Sequence, residues 1–434
     1  MSNMEELEKR DQQHVVRAWT TVAEPTIVVK AQGCVLTDVA GREYIDMTSG
    51  LFTANVGHCH PEVVAAICDQ ASQVIQISAL QSSLPEIALA EKLAQVVPGE
   101  LHRAYFTSGG AETVDAALKM ARQHTGKQEV IALRHAYHGM TGGAQTVTDT
   151  AGYRANFGPL PSGVLRAPSP YCYRCPFDLS YPACDLRCAD EIERIINNTS
   201  IITASVWGDI GAMIFEPIQG RGAIIPPPDW MSKVREICTR HGLLLLADEI
   251  QTGFGRTGRM FCVDHENVVP DILILGKNVG GAIPCGAVMT TEGISRTFKA
   301  GVGPTFGAHA LACRAGLVTI QIIERDRLAE NATAMGQRMK EGLENMSTRR
   351  FVGQARFKGL MGALELVLDL KTKEPVAKKD INSIKEEVYK RGIIVTTSGP
   401  LGNAFRMQPP LVVTPRQIDQ IVAAFDGAIA AVLG

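Results

Sequence analysis

The sequence predicts an α/β fold: a mostly parallel central sheet in a large domain, with a smaller α+β domain packed on it. Three observations carry this expectation. Residues 212–215, 243–247 and 272–275 are short apolar runs without alternation, as expected for strands covered on both faces. Longer segments of helical periodicity separate them, the pattern of strand–helix–strand units. The chain has 434 residues, enough for two or three domains and for burying roughly three quarters of its unfolded surface.

Taken in order, residues 103–107 (RAYFT) read as a strand that meets a glycine-containing loop at 108–110. A helix follows, with Val114, Ala117, Leu118 and Ala121 on one face. Residues 230–241 carry Met231, Val234 and Cys238 at helical spacing, just before the strand at 243–247. In the C-terminal third, residues 359–368 (GLMGALELVL) read as a strand that alternates in part. A helix over 380–391 and a strand over 393–397 come next. Thr414-Pro415-Arg416-Gln417 matches a capping box with proline at the first helical position. The helix it opens carries Ile418, Ile421, Val422, Phe425 and Ile429 on its apolar face. The expected division is an N-terminal segment, 1–58, that joins the small domain; a large cofactor-binding domain, 59–309; and a C-terminal small domain, 310–434.

Composition narrows the function. Hydrophobic residues make up 45% and charged residues 20%, with 43 basic against 45 acidic side chains. This excludes a disordered or collagen-like chain, and the net charge of −2 argues against a duplex nucleic-acid binder. No apolar run approaches the roughly 20 residues that span a bilayer, so no membrane partner is expected. The start, MSNMEELEKRDQQ, lacks a signal-peptide core. With eleven scattered cysteines, a cytoplasmic protein with reduced thiols is expected.

In an open α/β sheet, ligands sit at the carboxyl ends of the strands, and three strands deliver chemistry there. The first gives Ser108-Gly109-Gly110-Ala111 at a helix N-terminus, where free N–H groups and the helix dipole favour a phosphate. The second ends in Asp248-Glu249; a carboxylate at the end of an apolar strand needs a cationic or donating partner. The third ends in Gly276-Lys277-Asn278, where a desolvated lysine can act as a nucleophilic amine. Each has an ordinary alternative: a tight turn, a helix-capping aspartate, a snorkelling surface lysine. Together they meet the requirements of pyridoxal 5′-phosphate: lysine for the aldehyde, a helix terminus for the phosphate, a carboxylate to keep the pyridine nitrogen protonated. Residues 253–258 (GFGRTG) fit G-x-G-x-x-G literally. They follow an acidic strand end and precede no helical stripe, so dinucleotide binding is not expected.

At this point the sequence resembles the class III (ω-amino) aminotransferases, pyridoxal-phosphate enzymes of fold type I. The strings that carry the resemblance are MTSGLFTANVGHCHPEV, FTSGGAETVDAALKMAR, AYHGMT, FEPIQG, LLLLADEIQTGFGRTG, PDILILGKNVGGAIPCGAV, PTFGAHALA and FRMQPPLVVT. They run from residue 47 to 413 in the family's order. 2,2-Dialkylglycine decarboxylase belongs to the same family and shares several of them.

The resemblance implies roles. Lys277 would hold the cofactor and, once freed by the substrate amine, shuttle the proton between the substrate Cα and the cofactor. Asp248 would pair with the pyridinium nitrogen, and Tyr137 would stack on the ring face. Gly109, Gly110 and Ala111, after Ser108, would cradle the phosphate, and Thr305 of the partner subunit would complete that site, making a homodimer the minimal active unit. Gln251 would lie near the ring hydroxyl and His138 behind the stacking tyrosine. Arg406 would bind the substrate α-carboxylate, and Glu216 would pair with Arg406 when the substrate lacks one. A buried arginine left unpaired is expensive, so a glutamate able to swing in makes sense for an enzyme that takes two unlike substrates.

Departures from the pattern refine the expectation. The decarboxylase has a glutamine where this chain has Leu51, followed by Phe52. Leucine offers no hydrogen bond to hold a carboxylate in the bond-breaking position, which favours transamination. The 4-aminobutyrate enzymes carry an arginine where this chain has Met140, so pyruvate is expected as acceptor rather than 2-oxoglutarate. Cys172, Cys175, Cys184 and Cys188 could hold zinc, but reduced thiols or an adventitious disulfide are the expected reading, with no metal. His58, His60, His102 and His124 are read as structural.

The expectation is an enzyme that moves an amino group from an amine or ω-amino acid to a small 2-oxo acid by a ping-pong mechanism through Lys277. A decarboxylating transaminase, an amino-alcohol phosphate phospho-lyase and a cysteine-cluster metal-binding or interaction protein stay open as alternatives. So do the identity of the donor and the choice between dimer and tetramer.

Overall fold

The computed structural model describes residues 4–16, 27–78, 80–202, 210–299 and 303–434. Its centre is a seven-stranded sheet in the order Arg103–Thr107, Gly286–Thr290, Ile272–Leu275, Leu244–Asp248, Ile210–Phe215, Glu129–Leu133 and Val164–Ala167. The last five run parallel. Gly286–Thr290 is antiparallel to both its neighbours. The three unalternating apolar runs are the middle of this sheet, buried along nearly their whole length.

Alternate residues of those strands face opposite layers. Leu246, Ile272 and Ile274 pack with Val114, Ala117, Leu118 and Ala121 of helix Gly110–Thr125. Leu245, Ala247 and Leu273 face the other way, toward Met231, Val234 and Cys238 of helix Trp230–Arg240. Burying each such Leu, Ile or Val contributes about 1.5–3 kcal/mol, which is why both faces of the sheet are apolar.

A second sheet has the order Val352–Lys358, Met361–Leu366, Ala404–Met407 and Thr396–Ser398. Met361–Leu366 is central and buried throughout, so the partial alternation read from its sequence does not mark a solvent face. The strand expected over 393–397 divides. Ile393–Ile394 pairs in parallel with Glu43–Asp46 in a third sheet, while Thr396–Ser398 pairs with Ala404–Met407. One short stretch thereby joins the N-terminal strands to the C-terminal sheet.

Thr414 caps helix Pro415–Leu433 with the reciprocal bonds to Gln417 that its sequence predicts. Ile418, Ile421, Phe425 and Ile429 are buried on its inner face. The glycine-rich run 253–258 leads into the short turn Cys262–His265 rather than a helix. Arg256 within that run is fully buried and donates to Asn55 Oδ1 and the Pro409 carbonyl, a structural role rather than phosphate binding. No described helix is long and apolar enough to cross a membrane.

Candidate active site

Three strand ends meet at one cavity of about 300 Å³, lined by Gly110, Ala111, Tyr137, His138, Gly139, Met140, Glu216, Ile218, Asp248, Ile250, Gln251 and Lys277. A larger one, about 570 Å³, lies beside Tyr44 and Arg391 and takes no residue from these strand ends. Close approach of the loops is what brings the groups together. A Cβ on Gly276 would stand 3.1 Å from the Ile250 side chain and 3.4 Å from the Gly110 Cα, so a glycine here lets the lysine strand pass near the helix terminus without displacing Ile250.

Lys277 opens the turn Lys277–Gly280 with a left-handed backbone, φ +48°. Such a conformation in a residue with a Cβ is strained, and strain of this kind gathers at functional positions. Burial lowers the amine's pKa from 10.5 to about 8, with Asp248 and Glu216 opposing the fall and Arg406 adding to it.

Asp248 is buried, and one of its oxygens lies 2.7 Å from His138 Nδ1. The other accepts the Ile250 N–H at 3.1 Å. The backbone N–H of His138 donates to Thr148 Oγ1 at 2.9 Å. Tyr137 faces the cavity, with the Tyr153 ring packed edge-on 5.2 Å away. Gln251 donates to Gln408 Oε1 at 2.8 Å, fixing its amide at the rim.

Glu216 does not pair with Arg406 in this structure. Its carboxylate accepts the N–H of Tyr137 at 2.9 Å and of Gly220 at 2.7 Å. Two backbone donors already satisfy it. Burial raises its pKa to about 7. Arg406 instead donates to Thr396 Oγ1 at 3.3 Å and lies 4.9 Å from the centre of the Phe52 ring. Phe52 and Leu51 belong to a run of left-handed residues, 49–52. Phe52 is buried beneath the guanidinium, whereas Leu51 is exposed.

The remaining expected residues divide. Gly110 and Ala111 line the cavity at the helix N-terminus, and Met140 lines its side. Ser108 and Gly109 do not line it, and the Ser108 N–H is taken by Glu112 Oε2 at 2.7 Å. Thr305 is exposed outside this chain's cavity, its carbonyl accepting from Gln76 at 2.7 Å. One neighbour escaped the sequence reading: Tyr153, at the end of the single short turn Ala151–Tyr153, a stretch with no periodicity to mark it.

Away from this site, Cys172, Cys175, Cys184 and Cys188 line one small cavity of about 20 Å³. All four are free thiols, and burial pushes Cys188 up to about 11. Among the described residues, no group of three or more His, Cys, Asp or Glu side chains is arranged to hold a metal ion.

The family model of the class-III aminotransferases matches residues 17–429. An acetylornithine aminotransferase of Methanosarcina mazei is 36% identical, over 96% of this chain and 95% of its own. An (S)-enantioselective ω-transaminase of Thermomicrobium roseum superposes with a TM-score of 0.93 at 32% identity, over the whole of both chains. An amine transaminase from an uncultivated Pseudomonas species, solved with pyridoxal phosphate bound, gives 0.87 at 32% identity over 96% and 98%. The chain therefore belongs to the class III aminotransferases, transferases of nitrogenous groups with the fold type I architecture.

Proposed function

We propose that this protein uses pyridoxal 5′-phosphate to move an amino group from an amine or ω-amino acid to a small 2-oxo acid, in two half-reactions at one site. The observation that carries the reading is the convergence of Lys277, Asp248 and the Gly110–Ala111 helix terminus on one cavity. These residues fit the cofactor. The N–H groups of Gly110 and Ala111 would hold its phosphate, Asp248 its ring nitrogen, the Tyr137 ring its face, and Lys277 its aldehyde carbon. Thr305 of the partner subunit would complete the phosphate site in a homodimer. When bound, the cofactor supplies an electron sink for the bond broken at the substrate carbon.

The chain's own side chains do the rest. Lys277, with a pKa near 8, is close to the midpoint of its titration at neutral pH, which suits a group that takes and returns a proton. Arg406 holds the carboxylate of the 2-oxo acid with its paired N–H groups. Leu51 offers no donor to a carboxylate, which supports breaking Cα–H rather than losing carbon dioxide. Met140 lines the cavity without a charge, which supports pyruvate over a dicarboxylic acceptor.

The test is the visible absorption of the purified protein with added pyridoxal phosphate, before and after a panel of amines without acceptor. Loss of the band with formation of pyridoxamine phosphate establishes the half-reaction and ranks the donors. A protein that develops no band, or whose band no amine changes, refutes the reading. Release of carbon dioxide or inorganic phosphate would assign it instead to the decarboxylase or phospho-lyase branch.

A further inference from the structure

Asn278 directly follows Lys277, and its side chain is buried. Its amide makes two hydrogen bonds to a segment at the other end of the chain. Oδ1 accepts the N–H of Asn55 at 3.0 Å, and Nδ2 donates to the carbonyl of Phe52 at 3.0 Å. Both partners are backbone groups, one a donor and one an acceptor, so the place asks for a side chain that carries both functions. Asparagine does so at short reach. An ionised aspartate offers acceptors alone, and alanine offers neither.

The segment that the amide grips is strained. Ser49, Gly50, Leu51 and Phe52 all take left-handed backbone, at φ +48°, +58°, +59° and +72°. Residues that bear a Cβ hold that conformation only where their surroundings over-determine it. Asp46 fixes the start of the run: its carboxylate accepts the Thr48 N–H at 2.7 Å and the Gly50 N–H at 2.8 Å, and lies 2.8 Å from His58 Nε2. Asn278 fixes the end. Asn55 is anchored in turn, donating from its side chain to the Phe254 carbonyl at 2.7 Å.

Phe52 stands at that fixed end, and its ring centre lies 4.9 Å from the Arg406 guanidinium. A continuous line of contacts therefore runs from Lys277 through the Asn278 amide and Phe52 to Arg406. Lys277 is itself left-handed, at φ +48°, so the amide ties one strained segment to another. At one end of the line is the amine that takes and returns the proton. At the other is the guanidinium that holds a carboxylate.

We infer that Asn278 is a positioning residue that sets the spacing between Lys277 and Arg406 by holding Phe52 in place. The inference rests on the transaminase reading, with Arg406 as the carboxylate grip, and refines it. Recognition of the 2-oxo acid then depends on a residue outside the cavity lining, and use of a carboxylate-free amine does not.

The experiment measures kcat/KM for pyruvate and for hexylamine, each with the other saturating. The proteins are the wild type, Asn278→Ala, Asn278→Asp, Phe52→Ala, Arg406→Gln and the double variant Phe52→Ala with Asn278→Ala. The pyruvate-to-hexylamine ratio should fall about 10-fold in both Asn278 variants, the loss of a buried hydrogen bond, with the cofactor's visible band retained. In the Phe52→Ala background, Asn278→Ala should cost less than about twofold more, since the contact it serves is already gone. Equal loss on both substrates, no loss, additive losses in the double variant, or disappearance of the band in both Asn278 variants would each overturn the inference and leave the transaminase standing. A ratio unmoved in Arg406→Gln removes the premise and overturns the inference as well. A wild type whose cofactor band no donor changes overturns the transaminase reading with it.

Discussion

His138 Nδ1 lies 2.7 Å from Asp248 Oδ2, and both side chains are buried. The backbone N–H of His138 is anchored on Thr148 Oγ1, so its ring meets the carboxylate from a fixed backbone while the Ile250 N–H holds the second oxygen. A buried carboxylate orientated this way is preorganised for a positive ring nitrogen, and preorganised charge is the largest single source of catalytic stabilisation in many sites. Asp248→Asn should lower kcat by roughly 10²- to 10³-fold while the cofactor still binds. His138→Ala should lower it by about 10-fold through misplacement of the same carboxylate. Stopped-flow rates of the amine half-reaction check both, and an unchanged rate in Asp248→Asn would show that another group holds the ring.

Lys277→Ala should reduce turnover by roughly 10³-fold or more, since it removes both the attachment point and the proton carrier. The fold should survive, because the lysine heads a turn rather than filling the core.

The Lys277 pKa of about 8 also makes a pH prediction. Only the neutral amine attacks an aldehyde. A base with a depressed pKa reaches that form at lower pH, so uptake of pyridoxal phosphate by the cofactor-free protein should rise about tenfold per pH unit below 8 and level off above it. A plateau reached only above pH 10 would show that burial does not depress this amine.

Glu216 titrates in the opposite sense. Its pKa is raised from 4.5 to about 7 by burial. Between those values the folded chain holds a proton that the unfolded chain has released, so stability falls as pH rises, by about 3 kcal/mol in all. Glu216→Gln lacks this dependence. The Tm of the variant relative to wild type should therefore climb between pH 4.5 and 7.5, measured on the cofactor-free protein. A constant difference would mean that Glu216 stays ionised throughout.

Arg406→Gln should weaken use of 2-oxo acids by roughly 10- to 100-fold, the range for losing a charge-assisted bidentate pair, and use of carboxylate-free amines far less. Steady-state kinetics with pyruvate and with a simple amine separate the two. Equal loss on both would mean that Arg406 shapes the pocket rather than gripping a carboxylate.

Much of the fold and of the site is legible in the amino-acid sequence by itself. Apolar runs at 212–215, 243–247 and 272–275 mark the strands because a strand covered on both faces has no polar side to show. The capping box at Thr414 marks a helix start because its two hydrogen bonds link residues three apart. Lys277, Asp248 and Gly110 can be placed together because open α/β sheets deliver their strand ends to one edge. All of these signals are short in range.

The tertiary structure decided what long-range contacts decide. Whether Glu216 meets Arg406 or the N–H groups of Tyr137 and Gly220 depends on residues up to 79 apart in sequence. That Phe52 lies beneath Arg406, and that 393–398 serves two different sheets, depends on elements from opposite ends of the chain. Periodicity and turn chemistry record which elements form and where their ends lie. Which partner satisfies a buried charge is set only when distant segments compete for it.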